Sequence, residues 1–157
     1  MSTVARKVVE HNSVADRLHQ LLMELIRAAG LVADQPVHGH PISMSQAFAL
    51  HELDTDPPLS QGALATRLRL EKSTVSRLAA ELERDGLLVR ERDPADRRSY
   101  RLRLTARGRA LHTTLRNAFH AQYGCWVSQL STAEQQALLH GLPALIRVIG
   151  APDTAGR

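Results

Sequence analysis

The chain has 157 residues, of which 43% are hydrophobic, 23% are charged and only 3% are aromatic. This length is typical of one domain with a sizeable core, and the composition excludes a chain that is disordered throughout. Because so few rings are available, the core must consist mainly of aliphatic side chains. Such a core favours packed helices over a β-sandwich.

The cysteine content and the hydropathy pattern indicate the compartment. A single cysteine, Cys125, excludes an intramolecular disulfide. The first residues contain no apolar run of the length that a signal peptide needs, and no stretch approaches the roughly 20 apolar residues of a membrane span. We therefore expect a cytoplasmic protein with no membrane partner.

The net charge of +4 is unevenly distributed. Between Arg67 and Arg109 there are 13 Lys and Arg against seven Asp and Glu, which gives +6 in this block and −2 elsewhere. Six of these arginines lie within residues 91–108. Such a concentration is typical of a surface that binds a polyanion, and the alternative is an ordinary solvated face.

Four helices are predicted in the first part of the chain. Apolar residues at helical spacing predict the first helix over residues 14–33, with Val14, Leu18, Leu21, Leu22, Leu25 and Ala29 on one face. Ser43 and Gln46 have the spacing of a capping box and predict a second helix that ends at Leu53. The third helix is predicted from Ser60 to about Leu68. After a turn at residues 69–71, the fourth carries Val75, Leu78, Ala79 and Leu82 on one face and ends at Gly86.

The hydrophobic period changes to two after Gly86. The apolar residues Tyr100, Leu102 and Leu104 alternate with Arg101 and Arg103, after a turn that contains Pro94. This pattern predicts a β-hairpin with one apolar and one basic face. Thr105 is the expected N-cap of a fifth helix through Trp126, and a capping box at Ser131 and Glu134 opens a sixth through Ile149.

The order of helix, short turn, helix and basic hairpin is that of a winged helix-turn-helix. Asp96, Arg98, Leu104 and Thr105 fit the wing signature D-x-R-x5-L-T of the MarR family without a gap. Residues 59–108 therefore resemble this family of bacterial transcription regulators, and the flanking helices extend the resemblance to residues 14–149. The resemblance implies a mainly α fold with a small β-hairpin wing, flanked by terminal dimerisation helices.

The resemblance also implies domain limits. We expect a single domain over residues 14–149, with a winged helix-turn-helix at 43–105 and a helical dimerisation part at 14–36 plus 106–149. Residues 1–13 and 150–157 are expected to be flexible termini.

The recognition helix is expected to enter the DNA major groove at its N-terminal end. The candidate DNA-binding residues there are Lys72, Ser73, Thr74, Ser76 and Arg77. Arg77 can donate two hydrogen bonds to a guanine, whereas Ser73 and Thr74 at the positive end of the helix suit phosphate. The alternative is an ordinary polar solvent face.

The candidate DNA-binding residues of the wing are Asp96, Arg97, Arg98, Arg101 and Arg103. The resemblance implies that Arg98 enters the adjacent minor groove and that Asp96 orients it, and Arg97 can share this role. Narrow minor grooves concentrate negative potential and attract guanidinium groups. The hairpin arginines Arg90, Arg92, Arg101 and Arg103 are expected either to meet phosphates or to be merely solvated.

The expected partners are a second copy of the chain, double-stranded DNA and a small molecule. The first, fifth and sixth helices carry more apolar positions than a winged helix can cover, so we expect a homodimer that reads a pseudo-palindromic operator; packing within the monomer is the alternative. The resemblance implies a repressor that an often aromatic or phenolic effector releases from DNA. The candidate effector-pocket residues are His38, His40, His51 and His112.

Specific residues suggest other modes of action. A zinc-sensing branch of the family suggests His38 and His40 with His112 as metal ligands, but Arg116 stands where a second histidine of the fifth helix would be needed. Cys125 favours an inert, packed thiol over a peroxide sensor. The chain has no common catalytic motif, so we expect neither an enzyme nor a cofactor. A winged helix that binds protein instead of DNA is a more distant alternative.

Overall fold

The structure, a computed structural model, describes residues 3–30, 36–94, 96 and 99–150, and for residues 3–13 the backbone alone. The described residues form six helices and three short strands. The helices are α1 (Thr3–Ala28), α2 (Met44–Leu53), α3 (Gln61–Leu68), α4 (Lys72–Arg84), α5 (Ala106–Ser128) and α6 (Thr132–Gly150). The strands are β1 (Leu59–Ser60), β2 (Leu88–Arg92) and β3 (Tyr100–Leu104). This confirms the predicted mainly α fold with a small β-hairpin.

The chain divides into two compact units, residues 1–112 and 113–157. The first unit contains α1 to α4, the sheet and the first turns of α5, and the second contains the rest of α5 and α6. The predicted domain limits stay predictions. In the described part of the chain, every helix is too short or too polar to cross a membrane.

The predicted bounds of α1 were wrong at both ends. The helix begins at Thr3 and not at residue 14, so residues 3–13 are helical, whereas the expected flexibility of the terminus stays a prediction. No Gly or Pro interrupts this stretch, and nothing in it stops a helix. At the other end, α1 stops at Ala28 because a turn follows in which Gly30 takes a positive φ of 69°.

Local hydrogen bonds explain where α2 and α3 begin. The Ser43 hydroxyl accepts from the backbone N–H of Gln46, and the Gln46 side chain accepts from that of Ser43. This reciprocal pair confirms the predicted capping box. Ser60 accepts from the backbone N–H of Ala63 and caps α3, which begins one residue later than predicted.

The α4 helix and its flanking turns follow the sequence prediction. Arg69 has a left-handed conformation and ends α3, so the chain can turn into α4. The four predicted inward residues of α4, Val75, Leu78, Ala79 and Leu82, are all buried. Gly86 follows the helix with a φ of 70°, as a glycine C-cap requires.

The three strands form an antiparallel sheet in the order β1-β3-β2. Leu102 at its centre pairs with Leu59 on one side and with Arg90 on the other. Leu88, Leu102 and Leu104 are buried on one face, against the core that α2 to α4 supply. β1 was not predicted, because two residues are too few to show a period.

The start of α5 is fixed by a close backbone contact. The Thr105 hydroxyl accepts from the backbone N–H of Gly108, which confirms the predicted N-cap, and donates to the carbonyl oxygen of Gly86. A Cβ atom added to Gly108 would overlap the carbonyl oxygen of Leu87. Only glycine therefore lets α5 approach the segment after α4 this closely.

The second unit begins α6 with the other predicted capping box. The Glu134 carboxylate accepts from the backbone N–H and hydroxyl of Ser131, and these hydrogen bonds lower the pKa of Glu134 below its ordinary value. Most apolar side chains of α6 are exposed in the single chain: Leu138, Leu139, Leu142, Ile146, Val148 and Ile149.

Candidate nucleic-acid interface

The exposed face at the start of α4 carries the residues predicted for the major groove. Lys72, Ser73 and Arg77 are exposed, whereas Thr74 and Ser76 are half-buried. Neither Lys72 nor Arg77 forms an ion pair with the described part of the chain. Their positive charges are thus uncompensated at the surface.

The first turn of α4 differs from the starts of α2, α3, α5 and α6. Each of those four helices has a Ser or Thr side chain that accepts a backbone N–H. The N-cap of α4 is Glu71, whose side chain makes no capping hydrogen bond. The first N–H groups of α4 therefore lack a side-chain acceptor, which is the arrangement that binds phosphate at helix N-termini.

The β2–β3 hairpin has the two predicted faces, but its polar face is not purely basic. Cross-strand partners share a face of a sheet, and the pair Leu88 and Leu104 lies on the core side. The opposite side, which we call the outer wing face, consists of Val89, Glu91, Asp93, Arg101 and Arg103.

Two diagonal ion pairs cross the outer wing face. Arg103 Nε lies 3.0 Å from Glu91 Oε2, and Arg101 Nε lies 2.7 Å from Asp93 Oδ2. The hydrogen bond to Asp93 raises the pKa of Arg101 above its ordinary value. The arginines predicted to meet phosphate are therefore already paired with carboxylates of the same hairpin.

The other two hairpin arginines also have partners. Arg90 Nε lies 3.1 Å from Glu83 Oε2, but the N–H is not aligned with the oxygen, so the contact is ionic and not a hydrogen bond. The guanidinium of Arg92 lies over the Tyr100 ring, 5.4 Å from its centroid.

The hairpin tip is described only in part. The carbonyl oxygen of Asp96 accepts from both the backbone N–H and the hydroxyl of Ser99, which closes the turn. Arg97 and Arg98 lie outside the described residues, so their proposed contacts with the minor groove stay predictions.

Two of the four candidate histidines, His51 and His112, are in contact. His112 is buried; its Nδ1 lies 2.9 Å from Asp54 Oδ2 and its Nε2 lies 3.3 Å from His51 Nδ1. His38 and His40 lie in the loop before α2. In the described part of the chain, no three His, Cys, Asp or Glu residues are placed to hold a metal ion.

A cleft of about 720 Å³ lies in the first unit between the loop before α2, the end of α4 and the start of α5. Its lining includes His40, Arg84 and Arg107 together with the apolar Ile42 and Leu111. Of the four predicted pocket histidines, His40 alone lines this cleft in the described structure. The cleft can therefore accept a small molecule with both apolar and polar groups.

The Cys125 side chain is exposed, so the predicted packed thiol was wrong. The neighbouring Tyr123 and Trp126 are exposed as well. Its sulfur lies 3.7 Å from the side-chain nitrogen of Gln129, one turn further along the helix.

Replacement of Cys125 tests whether this exposed thiol has a function. We expect Cys125→Ser to bind DNA like the parent, because Cys125 contacts Ser128 and Gln129 in the second unit, outside the residues proposed to bind DNA. Peroxide should give disulfide-linked species with the parent alone on a non-reducing gel. DNA release by peroxide that requires Cys125 would instead identify an oxidant sensor.

The sequence did not reveal the acidic partners of the arginines. Glu91 and Asp93 alternate along β2 and its extension, so their shared face was predictable from the period of two. Their pairing with Arg103 and Arg101 was not, because it depends on the hairpin register. Asp54 was missed for another reason, since it lies 58 positions before His112 in the sequence.

Comparisons with known proteins agree with this fold. Residues 40–99 match the model of the MarR family. A Thauera aromatica protein, named as a candidate transcriptional regulatory protein for the hcr operon, is 34% identical over 98 residues, which are 62% of this chain and 59% of that protein. The chain thus spans about three fifths of the length of this relative.

Two solved structures resemble the chain over most of its length. A DNA complex of MepR from S. aureus is 28% identical with a TM-score of 0.71, and the match covers 83% of this chain and 96% of that one. PcaV, a transcriptional regulator from Streptomyces coelicolor in complex with its natural ligand, is 29% identical with a TM-score of 0.67 and coverages of 87% and 92%. The family model, the relative and the solved structures agree that the chain is similar to winged-helix proteins of the MarR family.

Proposed function

We propose that the chain is a sequence-specific, DNA-binding transcriptional regulator. The observation that carries this proposal is the exposed start of α4, where Lys72 and Arg77 have no ionic partner among the described residues and the N-cap residue makes no capping hydrogen bond. In a winged helix-turn-helix this end of the recognition helix enters the major groove, and the similar protein MepR was solved in complex with DNA. Arg77 would read a base edge, and Lys72, Ser73, Thr74 and Ser76 would contact phosphate or sugar.

The wing tip would add contacts in the adjacent minor groove. Arg98, with Arg97 beside it, would enter a narrow A·T-rich stretch, and Asp96 would orient Arg98. The binding of these residues depends on groove width and on the negative potential of the phosphates, so they should support binding to many DNA sequences. Base preference would come from α4.

The regulator would work as a homodimer. Apolar side chains are exposed along α1, α5 and α6, including Leu25, Trp126, Leu142 and Ile146. A second copy of the chain would cover these faces, because soluble proteins rarely expose so much contiguous apolar surface. Two recognition helices would then lie about one DNA turn apart and read a pseudo-palindrome.

A small-molecule effector would control DNA binding, most simply by releasing a repressor. Support comes from the cleft beside His40, Arg84 and Arg107, and from PcaV, which was solved with its natural ligand. The cleft touches both the end of α4 and the start of α5, so a ligand with different affinities for two states would shift the position of α4.

Footprinting tests this proposal directly. The purified chain should elute as a dimer and protect one or two pseudo-palindromic sites upstream of its own gene. A screen of aromatic and phenolic molecules should then find one that lowers the affinity of the chain for this DNA. Arg107→Ala should weaken the effect of that molecule on DNA binding. A chain that binds no duplex DNA under low-salt conditions would contradict the proposal, and turnover of a substrate would indicate an enzyme.

A further inference from the structure

We propose that Glu91 and Asp93 set the DNA affinity of the wing by keeping its outer face electrically neutral. This inference rests on the proposed DNA-binding function. It concerns two acidic residues that would otherwise count only as hairpin surface, and it assigns them a measurable effect on binding.

The charges on the outer wing face cancel. The two guanidinium groups of Arg101 and Arg103 face the two carboxylates of Asp93 and Glu91, and each acid accepts from the Nε atom of its partner. At the start of α4, by contrast, Lys72 and Arg77 have no ionic partner in the described chain. The electrostatic attraction for DNA is thus weaker on the outer wing face than at the start of α4.

The register of the hairpin places each acid within reach of its arginine. Arg101 lies directly opposite Glu91, and Arg103 lies opposite Val89. Each arginine reaches diagonally, past its direct partner, to the acid two residues further along β2 or its extension. Because diagonal neighbours in a sheet remain in reach of long side chains, both pairs can form at the same time.

The Asp93 pair is the more strongly held of the two. The side chain of Asp93 is 15% exposed, whereas that of Glu91 is 49% exposed. The backbone N–H of Asp93 also donates to the carbonyl oxygen of Ser99, and this hydrogen bond joins the two sides of the hairpin next to its turn. Glu91 is therefore the better position for a test, since its replacement does not alter the residue that makes this hydrogen bond.

A DNA phosphate that approached Arg101 or Arg103 would compete with a carboxylate that is already in place. It would also meet the negative charge of that carboxylate, so the gain from each arginine would be reduced on every DNA sequence alike. Neither acid would meet a base edge, because the hairpin face is directed at the backbone in this proposal. The acids would therefore lower affinity without changing base preference.

The test compares Glu91→Gln with the parent on operator DNA and on a random duplex. The amide keeps the shape and an acceptor for Arg103 but removes the charge. Exposed ion pairs contribute little, so we expect affinity for both duplexes to rise about two- to fivefold. The plot of log affinity against log salt should become steeper by about 0.9 for each phosphate newly contacted.

Two controls separate this mechanism from a general change in charge. Glu83→Gln removes the same charge from the pair with Arg90, which lies on the core side of the sheet, and should give a smaller gain. In an Arg103→Gln background, Glu91→Gln should give little or no gain, because the arginine that it releases is absent. Thermal melting checks that each variant is folded.

The outcomes are distinct. A fall in affinity in Glu91→Gln would show that the acid positions Arg103 for DNA, and this would overturn the proposal. A gain equal to that of Glu83→Gln, or one that persists without Arg103, would overturn it as well. If the parent itself binds no duplex DNA, the proposed function fails, and that result is separate from any difference among the variants.

Discussion

Arg77→Ala is expected to weaken binding to the best operator by about 1–3 kcal/mol and to relax base preference at one base pair of each half-site. The side chain is exposed on the first turns of α4 and has no ionic partner in the described chain, so nothing holds it away from a base. Affinity measured against a panel of single-base operator changes gives both quantities.

Two further variants show whether Arg77 acts by its shape or only by its charge. Arg77→Lys keeps the charge but not the forked donor geometry, so it should recover affinity in part and base preference hardly at all. Arg84→Ala removes one positive charge from the other end of the same helix, where Arg84 lies 3.5 Å from Asp85, and should leave base preference unchanged. If Arg77→Ala left the base preference unaltered, a residue other than Arg77 would make the base contact.

Gly108→Ala is expected to destabilise the first unit by about 1–3 kcal/mol or more, because the new methyl group would overlap the backbone of Leu87. To remove this overlap, the start of α5 would have to move away from the segment after α4. That movement would strain the hydrogen bonds of the Thr105 hydroxyl to Gly86 and Gly108. The midpoint of denaturant unfolding measures the loss.

The matched control is Gly62→Ala, in the first turn of α3. The nearest atom to an added Cβ there is the Ser60 hydroxyl oxygen at 3.9 Å, which is an ordinary contact. Alanine favours helix over glycine by about 0.5–1 kcal/mol, so this variant should be as stable as the parent or more so. Equal stability of Gly108→Ala and Gly62→Ala would show that the Leu87 contact relaxes without cost.

Local signals in the sequence were sufficient to predict most elements of the fold. The capping box at Ser43 and the left-handed Gly86 depend on residues within a few positions, and the buried face of α4 follows from the helical period alone. The first eleven residues of α1 were not predicted as helix, although they contain no Gly or Pro that would break one.

Contacts between distant segments could not be predicted in the same way. The pair of His112 with Asp54 needs the packing of α5 beside the end of α2, and the Gly108 contact needs the path of the chain after α4. The sequence did identify Arg101 and Arg103 as charged residues of one hairpin face. It did not show that carboxylates on the same face neutralise them, because composition counts charges without their distances.

The missing side-chain cap of α4 affects the stability of this helix. A Ser or Thr cap stabilises a helix by about 0.5–2 kcal/mol, and α4 lacks that contribution while its neighbours have it. If α4 contacts DNA as proposed, a bound phosphate would supply the absent acceptor, and DNA binding would be thermodynamically linked to the stability of this helix. The helix would then be less stable in the free protein than in the complex with DNA.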